Sequence, residues 1–482
     1  MNFRVVFHLV SHMLLVIAGG MAAAWGVSLY AGDPSLAQLA LGFSCLGTLV
    51  SGLILKMATR GDTDLTRRDG FGIVTLGWLF ASAFSALPFM LSGIIPHPVS
   101  AFFEAMSGYT TTGATVIPVL EGLPRGILFW RALTHFFGGM GVLVLCVAIL
   151  PFLGVGGMQI FRAEMPGPSK DRLTPRITTT AKWLWGVYVF FTAIETGLLR
   201  LGGMSWFDAV CHSFATMATG GFSTRTVSIM AYQSPYIEAV ITVFMFLAAA
   251  NFALHYRALQ GKVGSYFRDP EFRFYLALWT GSALFVSLIL HTRLGMGALH
   301  ALRLGFFQVT SIMSTTGFAT ADFERWPFVL KFTLILLMFV GGCSGSTGGG
   351  IKVVRLFVLA KAVGREIRLF MQPQAVLRVR LGEERLEPEV VSSIMAFVAI
   401  FVLLFLAGTA VMCFFTPDFP TAASSVAATL GNIGPGLGLV GPMSTYATIP
   451  PAGQAVLIVC MLLGRLELYT VLVMLLPGFW KK

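Results

Sequence analysis

Met313-Ser-Thr-Thr-Gly-Phe-Ala-Thr320 decides the fold, because three other stretches of the chain end in the same way. Met217-Ala-Thr-Gly-Gly-Phe-Ser-Thr224 aligns with it without a gap and sets Gly221 against Gly317. Ser107-Gly-Tyr-Thr-Thr-Thr-Gly-Ala-Thr115 contributes Gly113, and the divergent Leu430-Gly-Asn-Ile-Gly-Pro-Gly436 contributes Gly434. The doubled glycine at 220 and 221 leaves a one-residue ambiguity in the second stretch. The spacing is roughly 100 residues, the period of an architecture of repeated units. Each interval has room for a spanning helix, a loop, a second spanning helix and a half-length helix.

The composition around these stretches is that of a membrane protein. Apolar types make up 56% of the 482 residues and charged types 11%, against roughly 45–50% and about 25% in soluble chains. Mean hydropathy is +0.80. A soluble chain of this composition could not cover its surface, so a bilayer must. Apolar segments long enough to span fall at 5–30, 36–55, 70–95, 126–153, 182–201, 236–256, 273–292, 327–360, 390–415 and 452–476. The first is longer than the apolar core of a signal peptide and is read as a retained helix.

The net charge of +11 belongs in loops, and nucleic acid need not be invoked as a partner. Ten spans with the N-terminus inside put 24 of the 33 Lys and Arg in cytoplasmic segments, Lys352 among them. Eight, including Arg125 and Arg131, fall on the outer side, and Arg465 is left within the membrane. That asymmetry places both termini in the cytoplasm. The six cysteines stand singly in apolar stretches and read as free buried thiols.

Half-length helices are expected near 99–110, 205–217, 298–313 and 419–430, each leading into a Gly/Thr turn. The expected fold is all-α: two N-terminal helices (1–69) and four helix–pore-loop–helix repeats (70–157, 158–260, 261–388 and 389–482) around one pore. Irregular backbone at membrane depth is tolerated only inside protein or along a water-filled cavity. Four such segments therefore read as meeting around a shared axis. Carbonyls turned toward that axis replace a cation's hydration shell, and glycine permits the backbone this requires. The turns contain no Asp or Glu, which favours a monovalent cation over a divalent one.

At these residues the chain resembles the Trk/Ktr/HKT superfamily of potassium transporters, and within it the bacterial TrkH-type branch. The motifs carrying the resemblance are Thr110-Thr-Thr-Gly-Ala-Thr115, Ala218-Thr-Gly-Gly-Phe-Ser-Thr224, Ser314-Thr-Thr-Gly-Phe-Ala-Thr320 and Gly431-Asn-Ile-Gly-Pro-Gly436. The resemblance implies ion-lining carbonyls on Thr111, Thr112, Thr219, Gly220, Thr315, Thr316, Asn432 and Ile433, followed by Gly113, Gly221, Gly317 and Gly434. In this family glycine at all four positions goes with potassium selectivity, and serine at the first goes with sodium transport. It further implies potassium uptake across a bacterial inner membrane, a homodimer with one pore per chain, and a cytoplasmic ring of TrkA-type nucleotide-binding subunits. No organic cofactor is expected.

Gly341-Gly-Cys-Ser-Gly-Ser-Thr-Gly-Gly-Gly350 interrupts the 327–360 span. It does not match the phosphate-binding loop, since Lys352 lacks the required neighbours. The resemblance implies a mobile constriction at Gly345, Ser346, Thr347, Gly348 and Gly349 under the filter. Arg465 is the second gate candidate, because a charge at mid-membrane marks an ion path. Glu467, two positions on, does not share its face. His135, His212, His255 and His300 read as packing residues, and Glu195, deep in its span, as a group that could titrate. No hydrolase or metalloprotease motif is present, so an enzyme is not expected. The rival reading is an alternating-access symporter coupling potassium to protons or sodium.

Overall fold

The computed structural model describes residues 1–59, 66–148, 173–382 and 384–480. It is built almost wholly of helices. Among the described residues the one strand pair is a two-residue ladder, Arg380–Leu381 against Glu384–Arg385. Six helices among the described residues are long and apolar enough to cross a bilayer: Phe3–Ala31, Ser35–Ala58, Arg68–Leu91, Thr180–Leu201, Pro270–Leu294 and Pro388–Met412. Two bent pairs raise the number to eight. The two other expected spans correspond to Arg125–Ala148 and to the interrupted pair Phe328–Met338 and Val353–Met371.

The four half-helices are Pro98–Tyr109, Trp206–Met217, Ala298–Met313 and Phe419–Leu430, within a residue or two of expectation at each end. Three of the four start on a recognisable signal. Pro98 and Pro420 stand in the first turns of the first and fourth. The Ser205 hydroxyl accepts from Asp208 N–H at 3.0 Å, and the Asp418 carboxylate from Thr421 N–H at 2.8 Å, which satisfies donors a helix leaves orphaned. Their first residues are exposed, but toward the Gly/Thr turns their residues are buried, as segments entering the protein interior must be.

The first two helices form an antiparallel pair. Asp33, between them, caps Arg125–Ala148 by accepting from the N–H groups of Arg125 and Gly126 at 3.0 and 2.8 Å. Phe43, Leu46, Ile54 and Met57 stay exposed on the second helix, a face that lipid can cover. The chain ends lie together, Phe3 stacking on Trp480 with centroids 6.2 Å apart.

One break was expected and three are present. Pro235–Ala248 turns by 103° into Phe252–Leu259, and Pro451–Arg465 by 117° into Tyr469–Leu475. Neither bend has a proline. Asn251 makes the first, its side chain accepting from Ala253 N–H at 2.8 Å to start a new helix. Glu467 and Leu468 make the second with positive φ of 60° and 42°, Leu468 N–H closing onto the Leu463 carbonyl at 3.0 Å. The thiols of Cys45, Cys211, Cys343, Cys413 and Cys460 are free of disulfides, but Cys45 is half-buried and Cys413 exposed rather than buried; the Cys146 side chain lies outside the described ones.

Candidate functional site: a ring of four turns over a glycine loop

The four half-helices end identically. The N–H groups of Thr112, Gly220, Thr316 and Ile433 reach back to the carbonyls of Ser107, Ala215, Ser311 and Ala428 at 2.9, 2.8, 2.9 and 2.8 Å. Thr111, Thr219, Thr315 and Asn432 carry positive φ of 49°, 55°, 61° and 55°. A left-handed residue closing a helix is the normal C-terminal device, usually supplied by glycine. Here three are threonines, each strained by about 1–3 kcal/mol. Two residues on, Gly113, Gly221, Gly317 and Gly434 return to positive φ of 79°, 77°, 80° and 97°. This alternation of backbone hand turns successive carbonyls to one side of the strand.

The turns also close on one another. A Cβ placed on Gly113 would lie 2.0 Å from the Gly220 carbonyl oxygen, and one on Gly221 would lie 1.9 Å from that of Thr316. One on Gly317 would lie 1.9 Å from the Ile433 oxygen, and one on Gly434 2.6 Å from the Thr112 oxygen. The chain of approaches runs from the first repeat to the fourth and back, so the turns form a ring. Gly221 is therefore the equivalent of the other three glycines, which removes the ambiguity in the second stretch. Gly220 is glycine for another reason: its missing Cβ would lie 2.4 Å from His135 Nδ1. Asn432 joins the fourth turn to the first, its amide donating to Thr112 Oγ1 at 3.1 Å and to the Met461 carbonyl at 3.0 Å.

Behind the ring stand residues that the sequence reading passed over. Glu104 is buried and accepts from Val116 N–H at 2.9 Å, from Thr115 Oγ1 at 3.0 Å and from Arg131 Nε at 2.6 Å. Arg131 donates on to the Ser223 carbonyl at 3.0 Å and lies 3.6 Å over the Phe222 ring. Arg131, counted among the outer-side charges, is buried, with its charge met by Glu104. The missed signal was register, since Glu104, His212 and Gln308 each stand nine residues before their glycine. His212 packs as expected, Nδ1 2.7 Å from the Asp208 carbonyl and Nε2 2.9 Å from Ser223 Oγ. His255 bonds the Leu247 carbonyl through Nε2 at 2.8 Å, and His135 stacks on Phe222 at 4.0 Å. His300 is exposed beside Arg303, and Glu195 is buried.

The glycine loop lies against the helix-side ends of three turns. Gly349 N–H donates to Thr315 Oγ1 at 2.7 Å, and Thr347 Oγ1 lies 3.0 Å from the Met217 carbonyl. A Cβ on Gly349 would meet the Gly431 oxygen at 2.5 Å, and one on Gly348 the Ser314 oxygen at 3.2 Å. Ser346 folds back onto the Cys343 carbonyl at 2.6 Å, and the Gly345 carbonyl accepts from Phe252 N–H at 3.1 Å. Arg465 is 3% exposed and donates to the Thr347 carbonyl at 2.7 Å and, more weakly, to that of Gly138 at 3.4 Å. The loop and its arginine thus touch all four repeats.

Lys352, counted among the cytoplasmic charges, is buried as well. It is 6% exposed, has a φ of 78°, and its ammonium donates to the Gly348 carbonyl. Glu467 pairs with Arg355 rather than Arg465, and Arg355 sits 3.9 Å over the Phe397 ring. Glu271 holds the loop at both ends, accepting from Ser344 N–H at 2.6 Å and Val354 N–H at 3.2 Å.

Membrane-length helices and four quasi-equivalent half-helices whose turns close into a ring define a multi-helix membrane protein built from repeats. The comparisons narrow that class. The TrkH family model, described as a cation transport protein, matches residues 40–481. The Trk system potassium uptake protein TrkH of Salmonella typhimurium is 41% identical, with both chains covered in full. That of Escherichia coli is 40% identical over the same extent, and the E. coli TrkG protein 35% over 100% of this chain and 99% of its own. The crystal structure of the potassium transporter TrkH from Vibrio parahaemolyticus superimposes with a TM-score of 0.92 at 37% identity, covering all of both chains. The chain belongs to the TrkH family of cation transport proteins, a family of transporters and not of enzymes.

Proposed function

We propose that the chain takes up potassium across a bacterial inner membrane through a filter formed by the four turns. The ring closure, each glycine abutting the next turn's carbonyl, carries the reading. Thr111, Thr112, Thr219, Gly220, Thr315, Thr316, Asn432 and Ile433 supply the carbonyls, and Gly113, Gly221, Gly317 and Gly434 keep the ring open. Dipoles without carboxylates suit a monovalent ion, and the half-helices aim their partially negative C-termini at it. The shared orientation of the repeats favours a channel-like path over alternating access. Inward movement gains about 2.3 kcal/mol per charge per 100 mV of membrane potential.

Gly345, Ser346, Thr347, Gly348 and Gly349 close the path on the helix side of the ring, and Arg465 raises its electrostatic barrier. Opening moves the loop aside. Two termini in the cytoplasm put the loop on the inner side, where the segment from Val353–Met371 to the Arg380–Arg385 hairpin is available to a TrkA-type nucleotide-binding subunit. The chain works as a homodimer in lipid, with the repeats divided as the sequence divides them. The test is rubidium uptake into liposomes holding only the purified protein, with the inside made negative. Potassium should compete with rubidium and sodium should not; equal competition by sodium refutes a potassium filter.

A further inference from the structure

All four half-helices reach the strand leaving their turn, but with unequal chemistry. His212 meets Ser223 and Ser424 both donates to and accepts from Leu437, at 3.1 and 2.7 Å. With its amide oriented to satisfy its neighbours, Gln308 accepts from Thr320 N–H at 2.8 Å. These three are bonds of neutral groups. The second half-helix also carries a buried carboxylate, Asp208, but it accepts from Thr224 Oγ1 at 2.6 Å and pairs with Arg225 on the strand of its own repeat. The buried carboxylate of the first repeat, Glu104, instead holds Arg131, which crosses to the second strand. One connected unit therefore runs from Val116 N–H and Thr115 Oγ1 through Glu104 and Arg131 to the Ser223 carbonyl, with Phe222 stacked beneath the guanidinium. Both strands leave glycines that face each other in the ring, Gly113 against Gly220 and Gly221.

We propose that the Glu104–Arg131 pair is a specificity-positioning element of the filter, fixing the separation of the first and second turns against the slack that would admit a smaller ion. The inference rests on the filter reading above. Its physical basis is geometry and charge together. Carboxylate and guanidinium are rigid, planar groups whose bonds are directional, so the pair holds two strands at one spacing where a hydroxyl or an amide tolerates several. Paired, they place no net charge behind the ring. A lysine at 131 keeps the charge but cannot hold Glu104 and the Ser223 carbonyl in the same fork. Loss of the carboxylate alone leaves a buried cation facing the ion path.

Three variants separate these roles in bi-ionic reversal-potential measurements on planar bilayers. Arg131→Lys should lower the potassium-over-sodium permeability ratio about tenfold, equivalent to about 1.4 kcal/mol. Glu104→Gln should lower the ratio similarly and also cut potassium flux, because Arg131 is then uncompensated. Glu104→Gln with Arg131→Met should recover flux without recovering the ratio, which a purely electrostatic role would not produce. A second readout is the potassium-minus-sodium difference in thermal midpoint of the detergent-solubilised protein, which should shrink in Arg131→Lys. If Arg131→Lys does not fold, Phe222→Leu removes the stacking support and should give a smaller fall, about threefold. A wild-type ratio and a wild-type ion-dependent midpoint in a folded Arg131→Lys protein overturn the proposal. Gly113→Ser is measured alongside: an unchanged ratio there refutes the filter itself, whereas a changed ratio there with none in Arg131→Lys refutes only the positioning role.

Discussion

Gly113→Ser tests the ring where the first turn meets the second. The residue sits at φ 79°, where a side chain is already disfavoured by about 1–2 kcal/mol. Its Cβ would stand 2.0 Å from the Gly220 carbonyl oxygen, against 3.4 Å for ordinary contact. More than an ångström must be found, and backbone on both sides supplies it. His135 fills the space where a Gly220 Cβ would be and so backs the second turn. The first and second turns must therefore separate, taking the carbonyls of Thr112 and Gly220 with them. An oxygen displaced by about an ångström no longer replaces a water of a potassium ion, and room for a hydrated or smaller ion appears. The expected result is a fall of tenfold or more in the potassium-over-sodium permeability ratio, about 1.4 kcal/mol. The assay is the reversal potential of the reconstituted protein with potassium on one side and sodium on the other. A ratio unchanged in folded protein refutes the ring geometry.

Arg465→Ala removes the donors to the Thr347 and Gly138 carbonyls and should raise potassium flux in liposomes; lower flux in folded protein contradicts a barrier role. Deleting Gly345–Gly349 should raise flux further for the same reason. Gly220→Ala should destabilise the protein through its clash with His135, and His135→Ala in the same chain should restore most of the thermal midpoint; no restoration would mean that the clash is not the cause. Asn432→Gly keeps the left-handed backbone but loses the bonds to Thr112 and Met461, and should cost about 1–3 kcal/mol of stability, read by thermal unfolding.

The repeat was legible because it is local: a glycine that must take positive φ and the helix signal before it recur in one register. The same held for the third break, where six glycines mark a helix that cannot continue. The bends at Asn251 and at Glu467 and Leu468 were not legible. A polar cap and a left-handed leucine, neither flagged by glycine or proline, end those helices, and both bends answer to partners far away in the chain. The burial of Arg131 and Lys352 was not legible for a related reason. A count of charges by side treats each as solvated, whereas one is met by Glu104 and the other by the Gly348 carbonyl. Arg465 stood out because a charge within a span is costly, but its burial and its partner Thr347 could only come from the fold.

The central claim is that the four turns jointly hold a dehydrated monovalent ion. Anomalous diffraction from crystals grown in rubidium or thallium tests it most directly. A peak on the ring axis, shared among the carbonyls of Thr112, Gly220, Thr316 and Ile433, is the predicted result. Ordered ions elsewhere, with none between those carbonyls, would contradict it.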